Sequence, residues 1–150
     1  MSQNEYVYFE GDSVGCIYFL REGNCGFVLP KHSNAKYIDI EKRSHFGVHD
    51  IIGYICESEN NADKDNWIHQ KGKLTRQFTC LADQSSQLLT LSIDDLNRMK
   101  MEFLDSYHEL FEEAMKSLDL ALMLKLRAIR DCQIFQAEWY ERPEVKEYLE

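Results

Sequence analysis

Short apolar runs broken by turn residues fill the first half of the chain, and a helical period takes over in the last third. Tyr6-Val7-Tyr8-Phe9 meets Gly11-Asp12, residues 16–20 meet Glu22-Gly23-Asn24, and residues 26–29 meet Pro30. Each run has strand length and ends in residues that favour turns. Tyr37-Ile38-Asp39-Ile40-Glu41 alternates apolar and polar side chains, as a half-buried strand does. The pattern resumes at residues 77–81 and 87–91, with Ala82-Asp83-Gln84-Ser85-Ser86 as the turn between them. Strands of this length and spacing predict an antiparallel meander or barrel.

After Ser92 the period changes. Ser92 is a good N-cap, and Asp94 and Asp95 sit in the first turn, where carboxylates complement the helix dipole. Ile93, Leu96 and Met99 predict a short helix to about Phe103, and Asp105 or Ser106 caps the next one. Leu110, Phe111, Ala114, Leu118, Ala121, Leu122, Leu126 and Ile129 then fall near helical spacing, which predicts a long helix over residues 107–132. Beyond it, glutamates at 138, 141, 144, 147 and 150, with Pro143 among them, read as a frayed acidic tail or a short capping helix. The expected organisation is one domain over residues 1–132 and an acidic C-terminal segment over 133–150. Strands segregated from helices make the class α+β. Residues 54–74 have little to bury, apart from Trp67-Ile68, and read as an exposed polar loop.

Charge and composition narrow the function. A net charge of -9 over 150 residues argues against a general nucleic-acid binder, which needs a basic stripe. It leaves room for a small anion held by one buried arginine. The five cysteines (Cys16, Cys25, Cys56, Cys80 and Cys132) include no C-x-x-C pair, which fits reduced thiols and a cytoplasmic setting. No apolar run approaches the ~20 residues of a membrane span, and the polar start Met1-Ser2-Gln3-Asn4-Glu5 is not a signal peptide. His45 and His49 lack a third ligand at metal-site spacing and read as exposed or capping histidines. There is no Ser/His/Asp set, phosphate-binding Walker loop or catalytic carboxylate pair, so no enzyme, catalytic residue, metal or required cofactor is expected.

The chemistry concentrates in residues 45–53 and 75–79. Gly47 lets backbone approach closely just before a helix-like segment, and Arg76 opens the next strand: the layout of a phosphate-cradling turn facing one fixed positive charge. Gly11-Asp12, residues 17–23, Phe46-Gly47, residues 76–82, residues 89–91 and Asp95-Leu96 follow one another in the order seen in the cyclic-nucleotide-binding domain family, which the chain resembles from about Tyr6 to Cys132. The helical end, Met101-Glu102-Phe103-Leu104 followed by Tyr107-His108-Glu109-Leu110, is similar to versions attached to voltage-gated cation channels, including those of protists.

The resemblance implies an antiparallel β-roll or jelly-roll barrel (a double-stranded β-helix) with a short phosphate-cassette helix and C-terminal helices. It implies a regulatory sensor for cAMP or cGMP, on the cytosolic side of an effector such as a channel, often tetrameric, signalling by movement of its last helix. Phe46, Gly47, Val48, His49, Arg76 and Gln77 match the ligand-binding positions. Gly47 matches the cassette glycine and Arg76 the phosphate arginine. Val48 stands where the family has a glutamate for the ribose hydroxyl, and an unpaired buried hydroxyl costs roughly 1–3 kcal/mol; packing in the core is its simpler reading. Gln77 replaces the usual Thr or Ser, Asp50 adds an anion that opposes a phosphate, and the segment between cassette and Arg76 is longer than usual. The helix and strand that the family places before Tyr6 have no counterpart here. The alternative is a degenerate, ligand-free homology domain for protein interaction or channel assembly, in which Trp139 or Tyr140 plugs the base site.

Overall fold

The computed structural model describes residues 1–52 and 74–149. The roll consists of β1 (Glu5–Tyr8), β2 (Cys16–Glu22), β3 (Cys25–Leu29), β4 (Ala35–Ile40), β5 (His45–Phe46), β6 (Thr79–Ala82) and β7 (Gln87–Ser92). One sheet runs β1-β6-β3-β4 and the other β5-β2-β7, every pair antiparallel. Helices α1 (Ile93–Glu102), α2 (Leu104–Glu141) and α3 (Pro143–Leu149) follow. The strands sit within a residue or two of the runs read from sequence, except β5, whose two residues are too short to show an alternation. The class is α+β, with two antiparallel sheets closed by C-terminal helices. The polar stretch 54–74, with Trp67-Ile68 and Cys56, lies outside the described residues except for Leu74, which is fully buried.

The sheets face each other across one core cluster that includes Tyr8, Leu20, Phe27, Phe46, Phe78 and Cys80. A second cluster lies on the helical side and joins Ile17, Val48, Ile51, Ile52 and Leu74 to Ile93, Leu96, Tyr107, Phe111 and Leu118. Helix α2 belongs to both: Leu118 packs in the second, Ala121 in the first, and Leu122 touches each. Small residues at Ala114 and Ala121, 2% and 4% exposed, let its backbone approach the roll. No helix among the described residues is long and apolar enough to cross a membrane.

The Ser92 cap forms as expected: its Oγ accepts from the Asp95 amide at 3.1 Å. Helix α2 is longer than the apolar stripe suggested, continuing past Cys132 to Glu141. No glycine or proline interrupts that stretch, and the first stop is Pro143, which cannot extend a helix but suits the first turn of the next one. Of the two readings of the C-terminal segment, the helical one describes Pro143–Leu149. Ser92→Ala is expected to cost about 1 kcal/mol, and Leu96→Ala, which empties a fully buried position between α1 and the roll, about 2–5 kcal/mol. Urea unfolding midpoints of the two variants check this order.

Candidate functional site

The site begins with a short ladder. Residues 11–14 pair with 74–76: the Gly11 amide donates to the Arg76 carbonyl, the Arg76 amide to Asp12, and the Val14 amide to Leu74. This pairing sets the Arg76 side chain across the roll, where it is 3% exposed. Opposite it, the backbone turns at Gly47, with φ +94°, and a helical turn starts at His49. The amides of Ile51 and Ile52 close that turn on the Val48 carbonyl.

Arg76 does not face an open seat. Its Nη1 donates to Asp50 Oδ2 at 3.1 Å and to the Gly47 carbonyl at 3.2 Å, and its Nη2 donates to the Cys16 carbonyl at 2.6 Å. The other carboxylate oxygen, Asp50 Oδ1, accepts from the Gln77 amide at 2.6 Å. Asp50 is 1% exposed. Burial pushes its carboxyl above the ordinary range, while the Arg76 charge and the Gln77 amide pull it back down. The guanidinium lies over the Tyr8 ring, 4.2 Å from its centroid, and 5.6 Å from that of Tyr18. Arg76 Nε and Tyr8 Oη are buried with no hydrogen-bond partner among the described residues.

The outer side of the cassette meets α2. His49 Nε2 is 2.7 Å from Ser117 Oγ, and His45 Nε2 is 3.3 Å from Glu113 Oε2. The two histidines thus face a helix rather than open solvent, a contact 68 residues away in sequence. Burial, with a smaller effect from the neighbouring His45, lowers the His49 pKa to about 4. Two turns further along, Lys125 donates to the Gln77 carbonyl at 2.7 Å and to Glu10, and sits 5.5 Å from the Phe78 ring centroid. Between cassette and helix there remains a cavity of about 100 Å³, lined by residues 45–49 with Glu113, Ala114 and Ser117.

Three solved structures are similar to this chain in fold. One is CLP of Xanthomonas campestris, described as a c-di-GMP responsive global regulator, with TM-score 0.56 and 14% identity over 85% of this chain and 54% of that one. A second, from Geobacter metallireducens and described as cyclic nucleotide-binding, gives 0.51 and 12% over 81% and 74%. A third, cAMP-bound PfPKA-R, gives 0.51 and 19% over 81% and 35%. The chain has the cyclic-nucleotide-binding fold. At these identities the likeness concerns the fold alone. No family model matches the sequence, and no curated protein sequence does. None of the three structures is described as a channel.

Within that fold the six residues singled out from sequence fall in different surroundings, and of them Gly47 and Arg76 meet directly. Phe46 stacks on Tyr18 at 5.2 Å in the roll core. Gly47 and Arg76 touch through the Gly47 carbonyl, Gln77 offers its amide to Asp50, and His49 faces α2. Val48 is 1% exposed and packs in the helical-side cluster. Trp139 and Tyr140, 42% and 45% exposed, line a different cavity, of about 640 Å³, with Lys31, His32 and Phe135, and no cassette residue borders it. Sequence reading identified Asp50 as an anion in the cradle but missed it as the partner of Arg76. The signal was its place three residues after Gly47, at the start of the cassette's helical turn.

Two expectations test this geometry. A Cβ at Gly47 would lie 2.7 Å from Arg76 Nη1, whereas one at Gly11, with nearly the same φ of +92°, meets nothing within 4 Å. Both alanine variants bear about 1–2 kcal/mol of left-handed strain, so Gly47→Ala should lower the melting temperature further than Gly11→Ala in calorimetry. The second concerns pH. Between about 4 and 6.5 the unfolded chain protonates His49 and the folded one does not. Stability is therefore fully present above 6.5 and falls as pH drops toward 4, by on the order of 2–3 kcal/mol. His49→Gln should flatten that part of the pH profile, measured by urea unfolding at each pH.

Proposed function

We propose that this chain is a regulatory domain of the cyclic-nucleotide-binding fold that works without a bound nucleotide, as an interaction or assembly module of a larger effector. The observation that carries this reading is the closed contact between cassette and α2. The roughly 100 Å³ left there is well below the ~300 Å³ at which small-molecule pockets begin. Val48 fits the same reading, because its side chain fills core where the family's glutamate would meet a ribose. The two longer relatives, which this chain covers by only 54% and 35%, support attachment to further domains. A channel is the effector that the residues around Met101–Leu110 resemble.

The sensor reading stays as the second one because, of the sequence-matched positions, Gly47 and Arg76 are in direct contact, with Phe46, His49 and Gln77 near them in the chain. In that reading these residues and Val48 bind cAMP or cGMP, and ligand release frees α2. The two readings separate in a thermal-shift titration of the wild-type protein with cAMP and cGMP, followed by calorimetric titration. A binder at ~100 times its dissociation constant gains ~2.7 kcal/mol. The expected result is no shift at millimolar nucleotide, and a saturable shift with either one overturns the nucleotide-independent reading.

A further inference from the structure

We propose that Asp50 is a resident oxyanion in the Arg76 seat, and that removing its carboxylate turns the seat into a binding site for a small carboxylate or phosphate. This deepens the nucleotide-independent reading above and rests on it for the claim that nothing else fills the seat in the wild-type chain. The geometry is that of a bound oxyanion. One carboxylate oxygen takes a guanidinium N–H at 3.1 Å and the other takes a backbone amide at 2.6 Å. Two carbonyls, of Gly47 and Cys16, hold the rest of the guanidinium in place. Those carbonyls bind the cation but cannot neutralise it, so among the described residues that Arg76 touches the charge balance falls to Asp50.

A second observation points the same way. Arg76 is 3% exposed, yet its Nε has no hydrogen-bond partner among the described residues, and neither has the Oη of Tyr8, whose ring the guanidinium overlies. Two buried donors, one on the guanidinium and one on the ring it overlies, are therefore left over by Asp50. An anion arriving from solvent competes with a carboxylate tethered three residues from Gly47, whose effective concentration is high. The wild-type seat should accordingly be closed to exogenous anions, and the Asp50→Ala seat open to them.

The test is chemical rescue. Wild type, Asp50→Ala and the double variant Asp50→Ala/Arg76→Met are melted in chloride, acetate and inorganic phosphate at equal ionic strength. The expected result is a saturable rise in the Asp50→Ala midpoint with acetate or phosphate. It should reach about 5–10 °C when the probe exceeds its dissociation constant ~100-fold, with no selective rise in the other two proteins. Rescue by acetate but not phosphate marks a carboxylate seat, and the reverse marks a phosphate seat. Should Asp50→Ala not fold in chloride, the readout becomes the folded yield on dilution from urea with and without each probe. Absence of selective rescue, or rescue that persists without Arg76, overturns the proposal. Nucleotide binding by the wild type would instead overturn the reading of the previous subsection, and leaves the rescue result to stand on its own.

Discussion

A guanidinium that is 3% exposed sets the terms for the surrounding chain. Taking such a charge out of water costs several kcal/mol, and only a well-placed anion with further acceptors offsets it. Here the anion comes from the cassette, one acceptor from the cassette turn and one from β2. The carboxylate in turn needs a second donor, which the residue after Arg76 supplies. Three separate pieces of chain, the cassette, β2 and the segment of Arg76 itself, are thereby fixed relative to each other by one side chain. Gly47 follows as a necessity, because the guanidinium stands where any Cβ would go. Tyr8 and Tyr18 complete the enclosure with ring faces that a cation tolerates.

Helix α2 depends on the same constraint at one remove. Its row Glu113, Ser117, Ala121 and Lys125, spaced by four residues, forms one ridge. That ridge meets His45, His49, the roll core and Gln77 in turn. Two of these four contacts are to the cassette and one is to the residue following Arg76. The helix is thus docked on the elements that the ion pair positions, and the polar contacts add direction to apolar burial that lacks it.

The strands and the α+β class were legible because apolar runs and turn residues act locally. Gly47 and Arg76 were legible for a different reason: few residue types can take their places. The Ser92 cap was equally local, and its bond forms as read. What sequence left hidden depended on distance in space. Asp50 looked like an anion opposed to a ligand, since nothing in the sequence says that its carboxylate turns back onto Arg76, 26 residues away. His49 and Ser117 are 68 residues apart and carry no mutual signal. The far end of α2 was obscured by composition. Its glutamates suggested a tail, while the absence of any breaker before Pro143 was the better guide.

Were α2 to move as the sensor reading has it, an arginine already neutralised from within would change what can drive that movement. A ligand shifts a two-state equilibrium only by the difference in its affinity for the two states. If the anion in the seat is part of the chain, it is present in both states and its concentration never changes, so it cannot serve as a signal. It serves instead to hold the cassette on which α2 docks. Any displacement of α2 then has to be driven by something that contacts the helix itself differently in its two positions. The outward side chains Leu120, Met123 and Leu126, 52%, 46% and 67% exposed, are outside the docked ridge and remain accessible while it is closed. A contact there changes the balance only if it is stronger in one position of the helix than in the other, whatever its total strength.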